Sequence, residues 1–136
     1  MKLVADCSLV MAVVFGELPD LEVQRVEEKL WDGFFVPPHF RMETANTLLS
    51  ALKGGRISNQ SELLQMVTLL KHIPAETDEF SADCVYGEVL KLAQQHKLTI
   101  YDATYLELTL RKKTQLWTLD KDLAKAANKE GVYFKP

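Results

Sequence analysis

"KLVADCSLVMAVVF", residues Lys2 to Phe15, places one interior carboxylate, Asp6, in a run otherwise made of apolar and small residues. An ionised carboxylate taken out of water costs several kcal/mol unless it is paired, strongly hydrogen-bonded or bound to a metal. The short apolar "KLVA" reads as a buried strand, with Asp6 at its carboxyl end and Ser8 as a candidate N-cap for the helical pattern that follows. The same unit recurs near the end of the chain, where the strand "QLWTLD" closes on Asp120 and the helix "KDLAKAANKEG" follows.

Between these units, strands and helices alternate. "PDLEVQRVEEKLWDG" opens on Pro19 and Asp20 and closes at Gly33, the asymmetry of an amphipathic helix. "FFVPP" is a short strand stopped by Pro37 and Pro38, and "HFRMETANTLLSALKGG" has helical spacing and a glycine C-cap. Ser58 begins another helix, a third strand lies near "HIPAE", and Ser81 to His96 and "YDATYLELTLRKK" are helical in pattern. "VYF" is a last short strand. Alternation of this kind predicts an α/β fold: one three-layer α/β/α sandwich over residues 1–136 with a short parallel sheet of about four or five strands.

Composition limits the functional classes. The chain of 136 residues has 19 acidic and 16 basic residues, a balance that by itself argues against a phosphate-binding role. Cys7 and Cys84 form no metal or disulfide pattern and read as small buried hydrophobes of a reducing cytosol. Asp6 interrupts the only signal-like segment and no run reaches the length of a membrane span, so the expectation is a soluble, cytoplasmic protein. His39, His72 and His96 lie in unrelated segments and signal neither zinc nor a two-histidine mechanism.

In an open parallel sheet, ligands bind beyond the carboxyl ends of the strands, where strand order reverses. Asp6 and Asp120 sit at such ends, and they meet if their strands are neighbours. Glu43, one turn into its helix, and Asp102, at a helix start, are further candidates. Taken singly, Asp102 and Asp120 are better explained as caps and Glu43 as a helix-surface carboxylate. Taken together, converging carboxylates repel one another and call for a divalent cation; oxygen ligands select Mg²⁺ or Mn²⁺, and such sites mostly perform phosphoryl chemistry.

"VADCS", "ETANTLLSALKGGRIS" and "LTIYDATYLELTLRKKTQLWTLDKDLAKAA" resemble the PIN-domain nucleases, most closely the VapC-type toxins of toxin–antitoxin pairs, and the resemblance spans the chain. It implies a metal-dependent endoribonuclease leaving 5′-phosphate and 3′-hydroxyl ends. Asp6 and Asp102 would hold Mg²⁺ or Mn²⁺, with Glu43 and Asp120 binding directly or through water. Ser8, Asn46 and Thr118 would line the pocket. Asp122 either adds to it or faces solvent. The implied partners are an RNA substrate, a cognate antitoxin and a second copy of the chain, with apolar faces on "DLEVQRVEEKLW" and "SELLQMVTLLKH" as groove walls, dimer surface or ordinary core.

Other readings fit less well. Haloacid-dehalogenase-like phosphatases want an aspartate where this chain has Ser8, and response-regulator receivers want a mid-chain phospho-acceptor. The alternative of another class is a non-catalytic PIN-like module that binds RNA or protein. Arg111 to Lys113, "RKK", read as a solvated basic helix end, and Lys121, beside Asp120, is expected to approach substrate more nearly than they do. Lys121→Ala is therefore expected to slow RNA cleavage and weaken its salt dependence; wild-type rates across a salt series would remove Lys121 from the site.

Overall fold

A computed structural model describes residues 1–136. Four short parallel strands, β1 (Leu3–Ala5), β2 (Phe34–Val36), β3 (Ala75–Thr77) and β4 (Leu116–Trp117), form one sheet in the order β3-β2-β1-β4. β1 pairs with both β2 and β4, so strand order reverses at β1 and the first and last strand ends are neighbours. The segment expected as a fifth strand contributes only an isolated bridge, Leu116 to Tyr133.

The helices are α1 (Cys7–Val14), α2 (Asp20–Trp31), α3 (Phe40–Lys53), α4 (Gln60–His72), α5 (Leu90–His96), α6 (Ile100–Arg111) and α7 (Lys121–Lys129). Crossovers between parallel strands are right-handed, so connections that step across the sheet in opposite directions fall on opposite faces. Those from β1 to β2 and from β2 to β3 step one way and place α1 to α4 on one face. The return from β3 to β4 places α5 and α6 on the other, consistent with the packing of α1 on α3 and α4 and of α6 on α5 and β1. The result is the expected α/β sandwich, with β1, the inner face of α1 and the whole stretch Ala103–Thr109 of α6 buried in its centre.

Local chemistry differs from the sequence reading at three helix starts. Asp6, rather than Ser8, caps α1: its Oδ1 accepts from the Leu9 amide at 3.1 Å. Thr99, rather than Asp102, caps α6, and Asn59 caps α4 while Glu62 reaches back to the Ser58 amide at 2.9 Å. The expected helix over residues 81–96 is broken into a 3₁₀ turn (Ser81–Cys84), a π-helical turn (Val85–Val89) and α5, with the irregularity at Gly87. Both cysteines are only partly buried, so neither is the enclosed hydrophobe expected.

Arg111 is not the solvated basic helix end that "RKK" suggested. Its guanidinium donates to both oxygens of Asp78 at 3.1 and 2.7 Å, and to Glu107 one turn earlier at 3.0 Å. Asp78 and Glu107 are both 5% exposed, and the pairing holds the Asp78 carboxyl below its ordinary pKa. Removing the cation would strand two buried carboxylates, an effect of about 3 kcal/mol or more. Arg111→Met is expected to lose that much stability in urea denaturation at pH 7. The deficit should shrink below about pH 4, where the carboxylates of the variant are protonated.

Candidate acidic site at the strand ends

Asp6 leaves the carboxyl end of β1 with its side chain 3% exposed, and the neighbouring strand supplies its partners. Ser8 Oγ donates to Asp6 Oδ1 at 2.7 Å and Thr118 Oγ1 donates to Oδ2 at 2.6 Å. Both hydroxyl protons are thereby committed to Asp6, so the 3.3 Å approach of the two hydroxyl oxygens holds no further proton. Their oxygens in turn accept from the next loop, Ser8 from the Leu119 amide and Thr118 from the Asp120 amide, each at 3.0 Å. Asp120 closes the arrangement by capping α7 through the Leu123 amide at 2.9 Å.

Three hydrogen bonds do not offset the burial. Desolvation raises the Asp6 pKa from 3.8 to about 6, with the Asp120 charge adding in the same direction. Asp102, on the first turn of α6, is likewise raised to about 6, first by desolvation and then by Asp120, Asp6 and Glu43. Asp120 therefore lies near enough to Asp6 and Asp102 to oppose their ionisation, and Asp6 and Glu43 near enough to oppose that of Asp102.

Glu43 enters from α3. Its Oε1 accepts a 2.7 Å hydrogen bond from the Tyr105 hydroxyl, and burial raises its pKa. Tyr105 is buried, and desolvation together with Glu43 pushes its phenol well above the ordinary range. His39 packs edge-on to both Tyr105 and Tyr101 with ring centroids 5.4 Å apart, and its Nε2 lies 3.2 Å from the Tyr101 carbonyl oxygen. Desolvation lowers the His39 pKa. Cys7 also belongs here: burial, Glu43, Asp6 and Asp102 push its thiol up to about 11, and Thr47 Oγ1 is 3.7 Å away. Nothing in the sequence sets His39, Tyr105 and Cys7 apart, because each matches ordinary helix or core composition.

The remaining candidates lie farther out. Asn46 is exposed one turn beyond Glu43, Lys121 is exposed at the start of α7, and Asp122 is exposed among Gln95, His96, Lys97, Lys125 and Lys129. None of the larger surface hollows is lined by Asp6, Glu43, Asp102 or Asp120.

As a set of donors these residues suit a hard cation. All ligating atoms are oxygens, and the hydrogen bonds engage one oxygen each of Glu43 and Asp120, leaving the other available. The spacing is a different matter: no three His, Cys, Asp or Glu side chains stand close enough together to hold a metal ion. The four-carboxylate Mg²⁺ or Mn²⁺ centre expected from the sequence is not assembled in this arrangement.

No family model matches the sequence, and neither does any curated protein. The fold is similar to that of PAE2754 from Pyrobaculum aerophilum, whose crystal structure superposes with a TM-score of 0.71 over 98% of this chain and 88% of that one, at 15% identity. That likeness is one of fold, and the fold is PIN-like. No helix is long and apolar enough to cross a membrane.

The raised carboxyl pKa gives a signed prediction. A group that binds its proton more tightly in the folded state lends stability that is full below its unfolded pKa, here 3.8, and lost once pH passes its folded pKa, about 6. In EDTA the protein is expected to be less stable at pH 7.5 than at pH 5. His39 acts in the opposite sense, since a lowered pKa costs stability as pH falls. Comparison with Asp6→Asn isolates the carboxylate. Between pH 5 and pH 7.5 the Asp6 share of that loss is about 1.4 kcal/mol, the remaining half of the roughly 3 kcal/mol that a two-unit shift contributes in full at low pH, and the variant should lack it when unfolding free energies are measured across the range.

Proposed function

We propose that residues 1–136 form one cytoplasmic nuclease domain that hydrolyses RNA phosphodiesters at the acidic group. The observation that carries this reading is the burial of Asp6 and Asp102 at the point where strand order reverses, where the charge of Asp120 raises the pKa of both and Glu43 adds to that of Asp102. Carboxylates that raise one another's pKa are poorly compensated by the protein itself and so favour a cation from solution. Asp6 and Asp102 would hold Mg²⁺ or Mn²⁺, with Glu43 and Asp120 binding directly or through water. Such an ion supplies charge for the phosphate and makes a water more acidic.

The chain's own contribution is positioning. Two hydrogen bonds to Oδ1 and one to Oδ2 fix the Asp6 carboxylate and leave acceptor capacity on Oδ2. Tyr105 fixes Glu43 through one oxygen, and the Leu123 amide fixes Asp120 in the same way. A water attacks phosphorus in line, the bond to the 3′ oxygen breaks, and the fragments carry 5′-phosphate and 3′-hydroxyl ends. Toxin activity, an antitoxin and a homodimer belong to the same proposal. Leu64 and Leu69, exposed on α4, support a partner there.

The spacing of the side chains favours a second reading. As they stand, no three reach a common ion, which fits a PIN-like module that binds RNA or protein without cutting better than it fits an assembled metal centre. One experiment separates the two. Labelled RNA is incubated with the protein in Mg²⁺, Mn²⁺ or EDTA beside Asp6→Asn, and Mn²⁺ binding is measured by equilibrium dialysis. Cleavage that needs the ion, leaves 5′-phosphate ends and falls at least about a hundredfold in the variant supports the nuclease. Intact RNA and no bound ion would leave the binding module.

A further inference from the structure

A surface hollow of about 360 Å³ lies between the end of α5 and the exposed face of α7, lined by Gln95, His96, Lys97, Asp122, Lys125 and Lys129. Its charge runs against that of the chain. Lys97, Lys125 and Lys129 oppose the single carboxylate of Asp122, whereas the whole protein carries a formal charge of −3. Glu130 is drawn off by a 2.9 Å hydrogen bond with His96, which also fastens the end of α5 to the end of α7.

None of these lysines stands within ion-pair distance of an acidic group, although Asp122 and Lys125 share a helix face. Lys121, Lys125 and Lys129 follow one another at four-residue spacing along α7, about 6 Å per step. They begin beside Asp120, the cap of that helix and a member of the acidic group. Lys97 comes from a second element, held at φ 55° where α5 ends. Three unpaired ammonium groups along α7, with Lys97 joining two of them at the hollow, are arranged to neutralise several negative charges of one extended ligand.

We infer that this lysine row binds the phosphates of an RNA strand and leads that strand to the acidic group. The inference rests on the proposed reading of that group, which the lysines complement: carboxylates alone repel a polyanion, and the row supplies the attraction they lack. Phosphate contacts of this kind position a strand without reading its bases.

The test is binding of fluorescein-labelled oligouridylate in EDTA, followed by fluorescence anisotropy across a salt series. Lys97→Ala/Lys125→Ala/Lys129→Ala is compared with wild type and with Lys29→Ala/Lys91→Ala/Lys135→Ala, which removes the same charge elsewhere. The hollow variant should bind about tenfold more weakly and reduce the salt slope by about 2, at about 0.7 for each phosphate contact on a single strand. The control should bind like wild type. Equal weakening of both variants, an unchanged hollow variant, or a wild-type chain without affinity for the strand overturns the inference. Cleavage in Mn²⁺ is scored separately: lysine-dependent binding without cutting leaves the row standing and removes the nuclease, and cutting unaffected by the lysines does the reverse.

Discussion

The rest of the site depends on keeping one carboxylate out of water at the end of β1. Asp6 is 3% exposed, and its partners come from α1 and from the segment after β4. The same hydroxyls that donate to it accept from the backbone of residues 119 and 120, so the acid and the loop that carries Asp120 are held by one network. Burial raises its pKa to about 6 in spite of these bonds. The network therefore positions the charge without relieving it, and what stabilises the fold by hydrogen bonding is opposed by desolvation.

Much of the fold was legible because hydrophobic period and punctuation agree. "KLVA", "FFVPP" and "QLWTLD" are too short for helices and are bounded by Asp, Pro or a cap, and each becomes a strand. "VYF" has the same composition but reaches only a single bridge, because pairing length is set by the available neighbour and not by propensity. The helix expected over residues 81–96 is interrupted at Gly87, a local backbone choice that periodicity does not encode.

The acidic group was legible in kind but incompletely in geometry. A buried acid at a strand end has few explanations, which is why Asp6 stood out. Tyr105 did not, since an aromatic residue in an apolar helix reads as core until Glu43 is seen opposite its hydroxyl. Arg111 was misread for the converse reason: beside Lys112 and Lys113 it looks like a solvated helix end, and its acidic partner lies 33 residues earlier. The spacing that leaves no three ligands together was beyond the sequence altogether, because motifs order residues along a chain and say nothing of side-chain reach.

The clasp of Arg111 on Asp78 bears on how the molecule opens. β3 is an edge strand of three residues, none fully buried, and an element of that kind ordinarily frays alone. Asp78 follows it directly and is fastened to α6, the most enclosed helix on the opposite side of the chain's return crossing. Release of β3 thus requires a charged pair to separate inside the protein. The margin of the sheet is thus tethered by charge to its most enclosed helix, and a strand too short to hold by pairing alone is held by the side chain that follows it.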